Sequence, residues 1–135
     1  MAEKFLKQYE IFYKKAKIDL KVAQNILRDL RNGDDDLDFD TVYFHLQQAA
    51  EKLLKSILSF YEVRFPKIHD IAELLELFKE NKIAIILDAE ILLPLSYYAV
   101  SGRYMILTEV ENPDKYIDFL IILTKYVSEI LLKIS

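Results

Sequence analysis

The sequence predicts an all-α protein: an up-and-down antiparallel bundle of four main helices with one short or irregular helical segment. Apolar residues recur every three or four positions along most of the chain, the spacing that places them on one face of a helix. The 135 residues include only 2 Gly and 3 Pro, too few for the many tight turns of a β-sandwich. They are 53% hydrophobic and 30% charged, so we expect residues 1–135 to form a single packed domain.

The first two predicted helices are long and follow each other closely. The first runs from about Glu3 to Arg31 and ends where Asn32-Gly33 supplies a left-handed stop. The second runs from about Asp40, whose carboxylate is expected to cap it, to about Glu62. It is not expected to extend far beyond Glu62, because Phe65-Pro66 restricts the backbone.

The third predicted helix is shorter. Asp70 and Glu73 have the spacing of a capping box, which opens a helix that reaches about Asn81. Residues 83–87 are apolar enough for a strand, but a single strand would have no partner. We therefore interpret them as a buried connector.

Two further helices complete the predicted bundle. One runs from residue 88 to about residue 100, and Pro94 is expected to kink or delay it. The other begins at Asn112-Pro113, where a capping residue precedes a first-turn proline, and reaches about Lys133.

The charge of the chain is unevenly distributed. The formal net charge is −4, but residues 1–31 carry eight Lys or Arg and four Asp or Glu, a balance of +4 that leaves −8 for the rest. Any contact with a polyanion is therefore expected to be local. No apolar run reaches the roughly 18 residues of a membrane-spanning helix, and the N-terminus lacks a signal peptide's apolar stretch. We expect a cytoplasmic protein without membrane contact.

The residue inventory also restricts the chemistry. The chain has no Cys and only two His, which excludes a disulfide framework and disfavours a multi-histidine metal centre. The acidic turn from Asp34 to Asp40 lacks the residue order of a calcium-binding loop. Neither a metal nor a cofactor is expected.

Three groups of residues are candidates for function. The first is the predicted helical stretch from Phe44 to Lys55, in which polar side chains flank the small residues Ala49 and Ala50. Its candidate binding residues are His45, Gln48 and Lys52. A structural alternative is that the alanines only allow close helix packing, while the Gln, Glu and Lys side chains lie on a solvated or dimer-facing side.

The second group combines a cation with aromatic rings. Its candidate nucleotide- or RNA-binding residues are Tyr98, Arg103 and Tyr104, preceded by Tyr97. A base could stack on the rings while the guanidinium contacts phosphate. Alternatively, the tyrosines fill one end of the bundle and Arg103 pairs with a carboxylate such as Glu51.

The third group is a basic stripe on the first predicted helix. Lys7, Lys14, Lys21 and Arg28 recur every seven residues, and Lys17 joins them. The stripe could contact a polyanion or an acidic partner, although a solvated helix face explains it more simply.

Three motifs together resemble the HEPN family of helical domains. They are FHLQQAAEKLLK at 44–55, FPKIHDIAEL at 65–74 and YYAVSGRY at 97–104. The resemblance implies an antiparallel helical bundle that commonly forms homodimers and is associated with nucleotides or RNA. It also implies a small nucleotidyltransferase as partner, as in toxin–antitoxin pairs.

The resemblance extends to an Arg–His pair. Many active members of the wider family are metal-independent ribonucleases in which four to six residues separate an Arg from a His, and four residues separate Arg64 from His69. By this resemblance Arg64 holds the scissile phosphate and His69 acts as general base or acid on the ribose 2′-hydroxyl. The alternative is that the His69 ring bonds locally beside the Asp70 cap.

Three functional hypotheses follow. The leading one is a nucleotide- or RNA-associated binding module that works with a nucleotidyltransferase. The second is a metal-independent ribonuclease in which two copies of the Arg64–His69 pair meet across a homodimer. The third is a purely structural dimerisation module whose polar residues only fix helix register.

Overall fold

The computed structural model describes residues 7–85, 88–98 and 112–132, and these parts contain helices and no strand. The α-helices are α1 (Gln8–Arg31), α2 (Phe39–Phe60), α3 (Ile71–Glu80) and α4 (Pro113–Leu132). A 3₁₀ segment (Ala89–Tyr98) lies between α3 and α4. The predicted all-α fold is confirmed. No helix in these parts is long and apolar enough to cross a membrane.

Helix α2 is the centre of the bundle, because it contacts α1, α3, α4 and the 3₁₀ segment. Its apolar side chains are almost completely buried, among them Leu46, Leu53 and Leu58. Burial of a leucine side chain stabilises the fold by about 1.5–3 kcal/mol. Helix α1 runs antiparallel to α2, since Ser56 near the end of α2 donates to the Tyr9 carbonyl at the start of α1.

Aspartates cap the starts of α2 and α3, with one difference from the sequence prediction. Asp70 caps α3 and accepts a hydrogen bond from the Ala72 amide at 2.9 Å. The cap of α2 is Asp38, which accepts from the Thr41 amide at 2.7 Å. The expected cap, Asp40, instead lies in the first turn, where its negative charge faces the positive end of the helix dipole.

Three helices end in the same hydrogen-bonded motif. After α1, Gly33 has φ of 97° and the Asp34 amide donates to the Asp29 carbonyl at 3.0 Å, which is the Schellman arrangement. The corresponding positions after α2 and α3 are Glu62 and Lys82, with φ of 61° and 56°. These two residues carry the steric cost of a left-handed backbone that glycine would avoid.

The fourth predicted helix is a 3₁₀ segment. Pro94 lacks an amide proton, and its ring in an α-helix would clash with the carbonyl four residues earlier. Buried side chains recur every third residue, at Ala89, Leu92 and Leu95, which matches three residues per turn. The final residues of the predicted helix, 99 and 100, lie outside the described parts.

Candidate functional site

One side of α2 is polar although it faces other elements. At about 100° per residue, six polar positions span an arc of about 160° on this helix. They are His45, Gln47, Gln48, Glu51, Lys52 and Lys55. We refer to this arc as the polar face of α2, and it carries two clusters of ionisable side chains.

The first cluster, here called the Glu51 cluster, consists of Gln47, Glu51, Lys55 and His69. Oε1 of Glu51 accepts from Nζ of Lys55 at 2.6 Å and lies 2.9 Å from Nδ1 of His69. Oε2 accepts from Nε2 of Gln47 at 3.0 Å. The Glu51 side chain is only 4% exposed. Three donors therefore replace the water that its carboxylate loses on burial.

His69 reaches this cluster from the loop between α2 and α3. Its backbone carbonyl accepts from Nε2 of Gln47 at 3.1 Å, so both its main chain and its ring are tied to α2. The His69 side chain is nevertheless 62% exposed. Because Nδ1 is bound to the buried carboxylate, Nε2 is the ring nitrogen that could meet a ligand.

This arrangement defines what the ring can do. A neutral imidazole that donates from Nδ1 to a carboxylate has an unprotonated Nε2. That nitrogen can accept a proton or a hydrogen bond from a bound molecule. A carboxylate that fixes the tautomer and orientation of a histidine in this way is the common arrangement of general acid–base sites.

Phe65 covers the buried ion pair of the Glu51 cluster. Nζ of Lys55 lies 5.7 Å from the centre of the Phe65 ring, and the Phe12 ring of α1 lies 6.1 Å from the same ring. An ammonium above an aromatic face is attracted to it. The residue that follows Arg64 therefore shields the Lys55–Glu51 pair from water.

The second cluster, here called the Asp19 cluster, joins α1 to α2. Asp19 lies 3.0 Å from Nδ1 of His45 and accepts from Nζ of Lys52 at 2.5 Å. The His45 and Lys52 side chains are each 25% exposed. Both clusters thus contain one carboxylate, one lysine and one histidine bound through Nδ1, and they use both histidines of the chain.

The structure places the other predicted site residues as follows. Arg64 is exposed, on the same loop as His69. Gln48 donates from Nε2 to Oε1 of Gln47 at 2.7 Å. The Tyr98 ring stacks on Tyr43 at 5.0 Å, which favours the packing interpretation of this tyrosine. Arg103 and Tyr104 lie outside the described residues.

Two structural alternatives considered for the sequence fail for particular residues. The alanines of α2 are fully buried, as the packing alternative expects, but Gln47, Glu51 and Lys55 do not lie on a solvated or dimer-facing side, because their residues are 0–7% exposed in the single chain. The His69 ring does not bond locally beside Asp70, because its partner is 18 residues away on α2.

Sequence reasoning missed Asp19, and it considered Glu51 as a polar residue flanking the alanines and as a partner for Arg103, not as the buried partner of His69. A signal was present for Asp19, because it adjoins Leu20 and lies three residues from Ala16 within the apolar stripe of α1. A carboxylate in such a stripe predicts a buried partner. The sequence signal for a buried carboxylate is weaker at Glu51, because its four-residue spacing from Gln47 and Lys55 also fits an exposed helix face.

Two charged features lie on the surface. The basic stripe of α1 is exposed, and Nζ of Lys17 lies 4.4 Å from the Tyr13 ring centre. The carboxylates of Asp34, Asp35 and Asp36 lie within 4.8 Å of one another, and all three residues are exposed. Acidic turns of this kind are common without a bound ion.

The fold and the site define a class of protein: a small helical bundle in which a buried carboxylate of the central helix holds an exposed histidine from the following loop. Comparison with protein families gives the particular family. The HEPN domain matches residues 9–133, nearly the whole chain, and the chain belongs to this family. Comparisons with curated proteins and with solved structures find no match.

Proposed function

We propose that this chain is a nucleotide- or RNA-binding HEPN module whose binding site is the exposed His69 edge and the loop around it. The observation that carries the proposal is the anchoring of an exposed imidazole to a buried carboxylate. Folding has already fixed the ring, so little conformational entropy is lost when it binds a ligand. Membership of the HEPN family supports a nucleotide- or RNA-related role.

The loop supplies groups suited to a phosphate ester. Arg64 and Lys67 are exposed within five positions of His69. A guanidinium can donate two parallel hydrogen bonds to phosphate oxygens, and an ammonium adds a point charge. His45, Gln48 and Lys52 extend the proposed surface along the polar face of α2 towards α1.

Fluorescence anisotropy tests the binding proposal. A labelled single-stranded RNA of mixed sequence is titrated with the chain, and ATP and GTP are then added as competitors. We expect Arg64→Ala to weaken RNA binding about tenfold, the effect of losing one charged hydrogen bond, and His69→Ala to weaken it about threefold to tenfold, the effect of losing a neutral one. Lys79→Ala removes an exposed cation of α3 and serves as the control. Equal loss in all three variants would indicate only non-specific charge attraction and would contradict the proposal.

The same geometry favours a second function, cleavage of RNA without a metal. In this proposal Nε2 of His69 takes the proton of a ribose 2′-hydroxyl, and the resulting oxyanion attacks the adjacent phosphorus. The bond from phosphorus to the 5′-oxygen breaks, leaving a 2′,3′-cyclic phosphate, and the imidazolium or a water protonates the departing oxygen. Arg64 stabilises the charge that develops on the phosphate.

Incubation with RNA in excess chelator tests cleavage. We expect His69→Ala to lower the rate at saturating RNA about 10²- to 10⁴-fold, the usual contribution of a general acid–base group. Lys79→Ala is the control, because it removes an exposed cation of α3 outside the proposed binding surface. Circular dichroism verifies that both variants fold. If the unmodified chain binds RNA without cutting it, the binding function remains and the cleavage proposal is rejected.

The family also supports two partners as part of this proposal: a second copy of the chain and a small nucleotidyltransferase. Light scattering on the purified chain tests whether it forms a homodimer. Co-purification with a nucleotidyltransferase encoded beside it tests the second partner. A stable dimer that neither binds nucleotides nor binds RNA would instead favour the purely structural dimerisation module.

A further inference from the structure

A second candidate surface lies between α3 and the 3₁₀ segment. It is a cleft of about 420 Å³, which is within the size range of protein binding sites. Its apolar lining includes Leu75, Phe78, Ile83, Ile85, Ala89 and Leu93. No residue of the Glu51 or Asp19 cluster is among its lining residues. The cleft therefore has no part in the proposed nucleotide- or RNA-binding site.

The apolar lining of the cleft is accessible. Leu93 is 37% exposed although it is a large aliphatic residue. Leu75, Ile83 and Ile85 are partly buried and lie against the edge of the core. Covering such side chains with another apolar group releases water and stabilises the contact, by about 25 cal/mol for each Å² buried.

The rim of the cleft is acidic. Glu76, Asp88 and Glu90 are exposed lining residues, and among the described residues Lys79 is the one basic side chain that lines the cleft. The described lining therefore carries three negative charges and one positive charge, a net charge of −2. Nucleic acid, anionic lipid and acidic peptides would be repelled here, whereas lysine or arginine side chains would be attracted.

We propose that this cleft binds a basic amphipathic helix of a partner protein. Apolar side chains at three- and four-residue spacing would enter the cleft, and flanking lysines or arginines would face Glu76, Asp88 and Glu90. The α1 helix of a second copy has related chemistry, with Ile11 and Ile18 exposed among lysines. However, Ile11 and Ile18 are the two large apolar side chains exposed on the described part of α1, and they lie seven positions apart. A separate helix with apolar side chains at three- and four-residue spacing would fill the cleft better, so a partner protein is the better occupant.

Calorimetric and methyl NMR titrations with designed peptides test this proposal. The probe is a 14-residue helical peptide of leucine and lysine, and its counterpart has glutamate in place of each lysine. We expect only the lysine peptide to bind, with one peptide per chain and with methyl shifts confined to Leu75, Ile83, Ile85 and Leu93. The double variant Glu76→Lys with Glu90→Lys should weaken binding about tenfold or more.

A matched control separates the cleft from the overall charge. Asp118→Lys with Glu129→Lys makes the same charge change on the exposed face of α4 and should leave peptide affinity unchanged. Equal weakening by both double variants, or no binding of the lysine peptide, would overturn the proposal. The proposal would also be overturned if the chain associates with itself and the Glu76→Lys, Glu90→Lys variant does not. The occupant of the cleft would then be a second copy of the chain. His69→Ala should bind the lysine peptide with unchanged affinity. Failure of the peptide-binding proposal is therefore distinguishable from failure of the RNA-binding proposal.

Discussion

Glu51 links the stability of the bundle to the candidate chemistry. Its two oxygens interact with Gln47, Lys55 and His69, which come from one helix and one loop. Taking a carboxylate and an ammonium out of water costs several kcal/mol each, and their attraction offsets this only when the geometry is good. The carboxylate that orients the exposed histidine is therefore also the partner that makes a buried lysine tolerable.

Removal of this carboxylate should destabilise the chain strongly. We expect Glu51→Ala to lower the free energy of unfolding by about 3–5 kcal/mol, because Lys55 would remain buried without its counter-charge. Urea unfolding followed by circular dichroism measures the loss. The double variant Glu51→Leu with Lys55→Met removes both charges. Its free energy of unfolding should be closer to that of the unmodified chain. A double variant as unstable as Glu51→Ala would show that packing, not the unpaired charge, is responsible.

The individual site residues differ in how far the sequence predicts them. His69 could be predicted because it belongs to a motif and stands beside a helix cap. Its partner Glu51 could not be predicted, because the contact joins residues 18 positions apart and depends on how the loop folds onto α2. Asp19 and His45 are 26 positions apart. Hydrophobic periodicity gives the faces of single helices, whereas these contacts depend on the rotation of one helix against another.

The helices are where the sequence is most informative. Spacing of three or four residues predicted α1, α2, α3 and α4, since an amphipathic helix needs only local information. The sequence also predicts one short or irregular helical segment, and Pro94 is expected to kink or delay the helix there, but the 3₁₀ conformation itself is not predicted. The signal for the observed structure is the exact step of three between Ala89, Leu92 and Leu95.

The end of α2 offers a test of helix termination. Glu62 adopts φ of 61° at the position where Gly33 stands after α1. We expect Glu62→Gly to raise the free energy of unfolding by about 1 kcal/mol, because glycine adopts this backbone conformation without steric cost. Thermal and urea unfolding provide the measurement. Glu76→Gly, in the interior of α3, is the control and should lower stability by about 1 kcal/mol. A loss of stability in both variants would show that the left-handed backbone at Glu62 is not strained.

At the scale of the whole molecule, α2 holds the bundle together and one surface contact joins the ends of α1 and α4. Arg31, the last residue of α1, donates two hydrogen bonds to the Asp114 carboxylate, at 3.1 and 2.6 Å. The two residues are 83 positions apart in sequence. This pair fixes the start of α4 beside the end of α1, although both side chains remain in contact with water.

The Arg31–Asp114 pair should make stability depend on pH in a defined direction. The hydrogen bonds from Arg31 hold the pKa of the Asp114 carboxyl below its ordinary value, and they raise the pKa of Arg31, which stays charged throughout. A lowered carboxyl pKa in the folded state stabilises the fold above the unfolded value of about 3.9, and this stabilisation is lost as the pH falls through the lowered folded value.

We therefore expect Arg31→Gln to be less stable than the unmodified chain at pH 7, with a difference that shrinks as the pH falls below about 4. Urea unfolding at a series of pH values measures this difference. Arg28→Gln is the matched control, because Arg28 pairs with its neighbour Asp29 on the same helix and links no two elements. High salt should reduce the Arg31→Gln effect at pH 7, since the pair is exposed. A difference that stays constant from pH 7 to pH 2 would mean that Arg31 stabilises the bundle through packing of its side chain rather than through Asp114.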